Sequence, residues 1–133
     1  MLNRQRILLV DDDYNLLRGL TRALRDQPYE ILTARTADEA KDVVQRWPVS
    51  LVVSDEQMPG MSGTDFMAWI ANHCPDVVRI VLTGNGTPET AMRAINEGHV
   101  FKFFTKPCEV VELAMSIREG LEAREQLLAA TAE

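Results

Sequence analysis

Several side chains able to carry a charge or a proton stand directly after short apolar runs. Asp55 closes the run Leu-Val-Val-Ser, and a Pro-Gly pair follows four residues later. Three consecutive acids, residues 11–13, follow Ile-Leu-Leu-Val, while Thr83 and Lys106 end two further apolar runs. The carboxyl ends of the strands in a parallel α/β sheet share one edge, where ligands bind. We therefore expect acids, a hydroxyl and an amine to meet at one edge of such a sheet.

The acids in this set favour a hard divalent cation. Asp11, Asp12 and Asp13 repel one another, so their proximity needs compensation. Asp13 can cap the helix that follows, but capping accounts for one acid and not for three. Carboxylate oxygens are natural ligands of Mg2+. With Asp55 at the same edge, the residues indicate a magnesium site.

A magnesium site of this kind points to phosphoryl chemistry, because Mg2+ usually binds one or two carboxylates together with phosphate oxygens. A carboxylate such as Asp55 can act as a nucleophile and form an acyl phosphate. Lys106 would supply a cation to the transferring group, and Thr83 would supply a hydroxyl donor. A lysine at the end of a strand is more often simply solvated, so Lys106 carries weight only within this set.

Five strand-like runs alternate with helical segments along the chain. They cover about residues 6–10, 30–34, 51–54, 79–83 and 100–105. This alternation predicts an α/β fold in which a parallel sheet carries helices on both faces. Thr36, Ser62 and Thr87 stand where the second, third and fourth helices should begin, and Glu39 completes a capping box with Thr36. We expect Pro107 to begin the last helix.

The last helix looks too long for the domain. Its apolar residues follow a four-three spacing through Val110, Ala114, Ile117, Leu121 and Leu128. One interpretation is a core-packed helix that ends near Gly120 and continues as a solvated tail. The other is a coiled-coil seam or a linker to another domain or partner. We expect residues 1–121 to form one domain and residues 122–133 to form a helical extension or linker.

The composition is that of a soluble globular protein, with 46% apolar and 26% charged residues. A net charge of −6 without a basic stripe argues against direct binding to nucleic acid. No apolar run reaches the ~18 residues of a membrane span, and the N-terminus lacks the pattern of a signal peptide. Cys74 and Cys108 have no partner at metal-ligand or redox spacing, so we expect free thiols in the cytoplasm.

Taken together, the motifs of the chain resemble those of bacterial two-component response regulator receiver domains. The resemblance covers about residues 6–121 and lies in Val10-Asp11-Asp12, Ser54-Asp55 with Met58-Pro59-Gly60 and Gly63, Leu82-Thr83-Gly84, and Lys106-Pro107. It implies a flavodoxin-like three-layer sandwich with a five-stranded parallel sheet of order 2-1-3-4-5. It also implies that Asp55 accepts a phosphoryl group from a sensor histidine kinase or a histidine phosphotransfer protein.

The same resemblance implies a role for each residue at this edge. The implied Mg2+ ligands are Asp11, directly or through water, the carboxylates of Asp12 and Asp55, and the backbone carbonyl of Gln57. Thr83 and Lys106 would contact the phosphoryl group. Phe103 matches the position of an aromatic switch, where many relatives carry tyrosine, and ordinary packing is the alternative for this ring. The domain would be a signalling domain that promotes its own phosphorylation and dephosphorylation, and not an enzyme in the usual sense.

Phosphorylation would change the surface of the protein through its added charge. Thr83 would turn towards the new phosphoryl oxygens and draw the glycine-containing loop at residues 84–86 with it. This movement would reposition the fourth helix and the fifth strand. The expected output face comprises Met92, Ile95, Val100 and Phe101, each of which taken singly could be a core residue. An output domain, or a second copy in a homodimer, could bind through the fourth helix, fifth strand and fifth helix.

Three alternatives to this interpretation differ in function class. The Asp-x-Asp spacing of Asp11 and Asp13 also occurs in haloacid-dehalogenase-like phosphatases, but Asn15 stands where that family prefers threonine. A nucleotide-binding domain would need a third glycine after Gly84-Asn85-Gly86. The remaining alternative is an unphosphorylated receiver domain that acts purely as an interaction module.

Overall fold

The computed structural model of the chain describes residues 4–131. Five strands form one parallel sheet, namely β1 (Gln5–Val10), β2 (Tyr29–Ala34), β3 (Leu51–Ser54), β4 (Val78–Thr83) and β5 (Lys102–Thr105). Their order in the sheet is β2-β1-β3-β4-β5. The predicted flavodoxin-like fold is therefore confirmed, with strand limits within two residues of those expected from the sequence.

Five helices cover the two faces of the sheet. They are α1 (Tyr14–Leu24), α2 (Ala37–Arg46), α3 (Gly63–His73), α4 (Pro88–Asn96) and α5 (Val110–Thr131). Val52 of β3 belongs to a core with α2, α3 and α4, while Leu51 and Val53 belong to a core with α1 and α5. Successive residues of a strand point to opposite faces, so one apolar strand serves both cores.

The helix starts follow the capping residues that the sequence contains. Asp13, Thr36, Ser62 and Thr87 are the N-caps of α1 to α4, and the side chain of each accepts a hydrogen bond from a backbone N–H two or three residues inside the helix. Among these four helix starts, only the capping box at Thr36 differs from the expectation, because the Glu39 carboxylate accepts from the backbone N–H of Arg35.

The last helix differs from the expectation at both ends. It begins at Val110, and Pro107 lies in the turn after β5, where its peptide bond with Lys106 is cis. The helix also continues through Gly120, so the expected end near this residue is wrong. A Cβ atom at Gly120 would lie 2.9 Å from the Val78 side chain and 3.0 Å from the Leu51 side chain. This glycine allows close packing and does not terminate the helix.

The residues beyond Gly120 still contact the rest of the domain. Leu121 is buried, and the Arg124 Nε donates to the carbonyl of Asp76 over 3.0 Å. The Gln5 side-chain amide donates to Glu125 over 3.2 Å. The division between residues 121 and 122 stays a prediction, since the helix runs through it without a break. None of the helices within residues 4–131 combines the length and the apolar composition of a membrane span.

Candidate functional site

The carboxyl ends of β1 and β3 place Asp11 and Asp55 side by side. These two strands are neighbours in the sheet, and the backbone N–H of Asp55 donates to the carbonyl of Val10 over 2.9 Å. Carboxylate oxygens of Asp11, Asp12 and Asp55 all lie within 4.8 Å of one another. Asp11 and Asp55 are buried, with 5% and 8% of their surface exposed, whereas Asp12 is exposed.

Lys106 reaches this group from the end of β5. Its Nζ lies 2.7 Å from Oδ2 of Asp11 and 3.5 Å from Oδ2 of Asp55. The backbone N–H of Lys106 donates to the carbonyl of Thr83 over 2.8 Å, which ties the end of β5 to the end of β4. We call Asp11, Asp12, Asp55 and Lys106 the acidic cluster. The strand order alone brings these residues together across 95 positions of sequence.

The charges of the acidic cluster are only partly balanced, because three carboxylates face one ammonium group. Burial raises the pKa of Asp11 above its ordinary value, although the hydrogen bond from Lys106 opposes this effect. Burial alone would lower the pKa of Lys106, but the hydrogen bond to Asp11 and the charges of Asp11 and Asp55 outweigh it, so the pKa of Lys106 is raised. Lys106 is therefore a fully charged ammonium at neutral pH.

The donor set of the acidic cluster fits a hard divalent cation. It offers only oxygen ligands, and one of its acids, Asp12, is open to solvent. Mg2+ binds such oxygens and keeps several waters, for which an exposed position leaves space. A cation here would offset the excess negative charge that Lys106 leaves unbalanced. The group of three carboxylates could therefore hold a metal ion.

Two amide side chains close the rim above the acidic cluster. The Asn85 Nδ2 donates to the Gln57 Oε1 over 2.6 Å, which joins the loop after β4 to the loop after β3. The hydroxyl of Thr83 is buried and accepts from the backbone N–H of Asn85 over 3.3 Å. The N–H of Gln57 points to Oδ1 of Asp55 over 3.4 Å. The side chains at positions 57 and 85 thus join the loop that follows Asp55 to the loop that follows Thr83.

The loop after Asp55 depends on a close approach at Gly63. A Cβ atom at this position would overlap the carbonyl oxygen of Asp55 and would lie 2.8 Å from the Cα of Glu56. The N–H of Gly63 donates to the carbonyl of Glu56 over 2.8 Å. The turn between these residues contains Gly60, whose φ of 85° suits glycine. The start of α3 is therefore fixed directly behind Asp55.

Glu56 and Arg93 are two polar residues that sequence reasoning missed. Glu56 follows Asp55 and is 7% exposed, although a charged residue before a Pro-Gly turn would be expected in solvent. Its carboxylate accepts from Thr64 and lies near Arg93 of α4. The sequence offers no signal for this contact, because it depends on residues that three different elements bring together.

The expected output face is partly exposed and partly core. Met92, Ile95 and Phe101 expose 61%, 53% and 41% of their surface, and we call these three residues the apolar face. Val100 is instead half-buried and packs against the core beneath α3 and α4, which is the alternative given for single members of that face. Phe103 is also half-buried against this core, and its ring lies beside Gly86 of the loop after β4.

Comparison with known proteins places this arrangement in a family. The family model described as "Response regulator receiver domain" matches residues 7–118. Hydrogenase transcriptional regulatory protein HoxA of Cupriavidus necator is 33% identical over 118 residues, which are 89% of this chain and 24% of that protein. Transcriptional regulatory protein GlrR of Escherichia coli K12 is 38% identical over 116 residues, or 87% of this chain and 26% of that protein. The chain spans about a quarter of the length of these relatives.

A solved structure agrees in the whole fold. The signal receiver domain of an HD domain-containing protein from Pseudomonas fluorescens Pf-5 superposes with a TM-score of 0.90 at 34% sequence identity, covering 93% of this chain and 99% of that one. With the family match over most of its length, the chain belongs to the response regulator receiver domains of two-component signalling systems.

Proposed function

We propose that Asp55 is the phosphoacceptor of this receiver domain and that its donor is a phosphohistidine of a sensor histidine kinase or a histidine phosphotransfer protein. The carboxylate of Asp55 attacks phosphorus and forms an acyl phosphate, while the bond between phosphorus and the histidine nitrogen breaks. The electron pair stays on the nitrogen, so the imidazole departs neutral when its other ring nitrogen already carries a proton, and otherwise it becomes neutral by taking a proton from solvent. The family and the position of Asp55 among two acids and one ammonium support this role.

The surrounding residues suit the charge that this transfer involves. The ammonium of Lys106 lies 2.7 Å from Asp11 and 3.5 Å from Asp55, where it can bind an oxygen of the incoming phosphoryl group. Thr83 offers a hydroxyl from the end of the neighbouring strand β4. Gln57 and Asn85 are joined by a hydrogen bond between the loops after β3 and β4, and we propose that these amides restrict the approach of water and set the lifetime of the acyl phosphate.

The metal of this site is proposed to be Mg2+, which receiver domains generally bind. Asp11, Asp12 and Asp55 would hold it through carboxylates, and Gln57 would hold it through its backbone carbonyl. When bound, the cation supplies positive charge for the phosphoryl oxygens. Asp12 is the exposed member of the three, so a cation held there could exchange with solvent.

The proposed consequence of phosphorylation is a change at the apolar face. Thr83 begins the loop at residues 84–86, and Phe103 packs beside Gly86, so movement of Thr83 reaches both the loop and β5. An output domain or protein partner would then bind the changed surface. The domain acts in this scheme as a cytoplasmic switch, in agreement with its two free cysteines.

The test is phosphorylation by a small donor. Incubation with acetyl phosphate and Mg2+ should add the mass of one phosphoryl group to the wild type and none to Asp55→Asn. Asp13→Asn is the matched control, because asparagine is as good an N-cap as aspartate and should keep the mass gain. No mass gain in the wild type would leave the unphosphorylated interaction module as the better interpretation.

A further inference from the structure

Glu56 is a charged residue in an environment where charge is costly. It is 7% exposed, and it is bonded directly to the proposed phosphoacceptor in the chain. Its Oε1 accepts from the backbone N–H of Thr64 over 2.7 Å and from the hydroxyl of Thr64 over 2.6 Å. A buried carboxylate requires such donors and a nearby cation. The two hydrogen bonds lock the residue after Asp55 onto the first turn of α3.

The cation near Glu56 is Arg93, which lies on α4, whereas the hydrogen-bond donors lie on α3. Nη1 of Arg93 lies 3.7 Å from Oε2 of Glu56, and Nη2 donates to Asp65 over 2.9 Å. Its Nε contacts Glu97, the C-cap residue of α4, over 3.0 Å. One guanidinium therefore joins the phosphoacceptor loop, the start of α3 and the end of α4. Among the three carboxylates that it contacts, only Glu56 is buried.

We propose that Glu56 and Arg93 form a coupling pair that makes the geometry of the Asp55 loop depend on the position of α4. This inference rests on the proposed function, since it concerns how phosphorylation of Asp55 is controlled. Glu56 is a positioning residue for Asp55, and Arg93 acts through Glu56. The link is separate from the one that runs through Thr83, because it leaves Asp55 on the α3 side and reaches α4 at Arg93, in the last turn of that helix.

The pair also links the apolar face to the loop that contains Asp55. Arg93 stands between Met92 and Ile95 in sequence, and its side chain keeps 41% of its surface exposed. A partner that covers α4 would therefore change the surroundings of Arg93 and, through Glu56, the loop behind Asp55. Coupling between two sites is reciprocal, so the charge added at Asp55 acts back on Arg93 through the same residues.

A double-mutant cycle tests the pair. The rate of phosphorylation by acetyl phosphate is measured for Glu56→Gln, Arg93→Met and the double variant. Glutamine retains an oxygen for Thr64 but loses the negative charge that attracts Arg93. If the two residues act as one unit, each single variant slows phosphorylation by about three- to tenfold, and the double variant is no slower than either. Arg93→Lys keeps the positive charge and should recover a rate within about twofold of the wild type.

Arg46 and Asp42 provide a matched control. They form an exposed pair on α2 at 3.0 Å, and Arg46→Met should leave the rate unchanged within about twofold. Multiplicative effects of Glu56→Gln and Arg93→Met, or a wild-type rate in Arg93→Met, would overturn the coupling. A purely structural role would lower the melting temperature without producing the non-additive rates.

Hydrogen exchange separates this inference from the proposed function. In the unphosphorylated protein, Arg93→Met should increase deuterium uptake at residues 56–63 by about threefold or more, while Arg46→Met should not. This measurement needs no phosphodonor. If the wild type failed to take up phosphate but the exchange increased, the phosphoacceptor proposal would fail and the link would stand. If uptake at these residues were unchanged, the link would fail even in a protein that is phosphorylated normally.

Discussion

In the proposed function the acidic cluster accepts the phosphoryl group and the apolar face binds a partner. These two regions differ in burial and in polarity. The cluster is polar, with Asp11 and Asp55 buried, and is held by close contacts, with Lys106 at 2.7 Å from Asp11. The apolar face is exposed and offers large side chains with few polar groups, since Met92 and Ile95 expose more than half of their surface. The first region resembles a reaction site that needs fixed geometry, and the second resembles a surface that awaits a partner.

The two regions should respond differently to single substitutions. The chemistry of the cluster depends on a few residue types at strand ends, so a single substitution should abolish or strongly slow phosphorylation. The face depends on the total apolar area that a partner could cover, so single substitutions there should leave phosphorylation intact. Substitutions in the acidic cluster and in the apolar face should therefore differ in their effect on the rate of phosphorylation.

The largest effect after loss of Asp55 itself is expected for Lys106→Met. Methionine fills a similar volume but removes the cation that faces Asp55 and leaves Asp11 buried without its ammonium partner. Loss of one preorganised charge costs about 100-fold in the rate of phosphorylation by acetyl phosphate. Lys102→Met, which removes an exposed contact with Glu119, should retain the wild-type rate. Equal rates in the two variants would show that Lys106 takes no part in the transfer.

Asp12→Asn should weaken Mg2+ binding by about tenfold or more, because it removes one charged ligand from the set of three. The side chain is exposed, so the folded state should keep its stability within about 0.5 kcal/mol. Titration calorimetry with MgCl2 measures the affinity, and Asp13→Asn is the control because Asp13 serves as the cap of α1. Unchanged affinity in Asp12→Asn would exclude this residue as a ligand.

Gly63→Ala should destabilise the fold by about 1–3 kcal/mol, since the added methyl group meets the backbone of Asp55 and Glu56. The chain contains a matched comparison in Gly19, an exposed position in α1 where a Cβ atom meets nothing within 4 Å. Gly19→Ala should stabilise the protein by about 0.5–1 kcal/mol, because alanine favours the helix. Urea unfolding measures both free energies. Opposite signs are expected, and stabilisation by Gly63→Ala would show that the loop behind Asp55 is not tightly packed.

Much of the fold could be predicted from the sequence because the strands have a recognisable pattern of apolar residues. Nearly continuous apolar runs such as residues 51–54 mark strands that are covered on both faces, and hydroxyl residues such as Thr87 mark the helix starts. Once the strand order follows, the strand ends bring Asp11, Asp55 and Lys106 to one edge without further assumptions. The proximity of these residues was therefore accessible from their types and positions alone.

Other features could not be predicted because they depend on packing between distant elements. Gly120 has the residue type of a helix terminator, yet it serves close contact with Val78 and Leu51 inside a continuous helix. Glu56 has the residue type of a solvated acid, yet donors from α3 and a cation from α4 allow its burial. In both cases the local sequence favours one outcome and the tertiary contacts determine another.

The smallest effect is expected from the apolar face. Replacement of Met92 and Ile95 by serine should leave the rate of phosphorylation within about twofold of the wild type and the stability within about 1 kcal/mol, because both side chains are exposed and lie outside the acidic cluster. The measurement is again the mass gain with acetyl phosphate, followed over time. Arg93 lies between these residues, and the double serine variant keeps its guanidinium. If the double serine variant were phosphorylated more slowly although Arg93 is unchanged, the whole of α4, and not one ion pair, would hold the Asp55 loop. The apolar face would then contribute to the reaction site and would not be a separate surface for a partner.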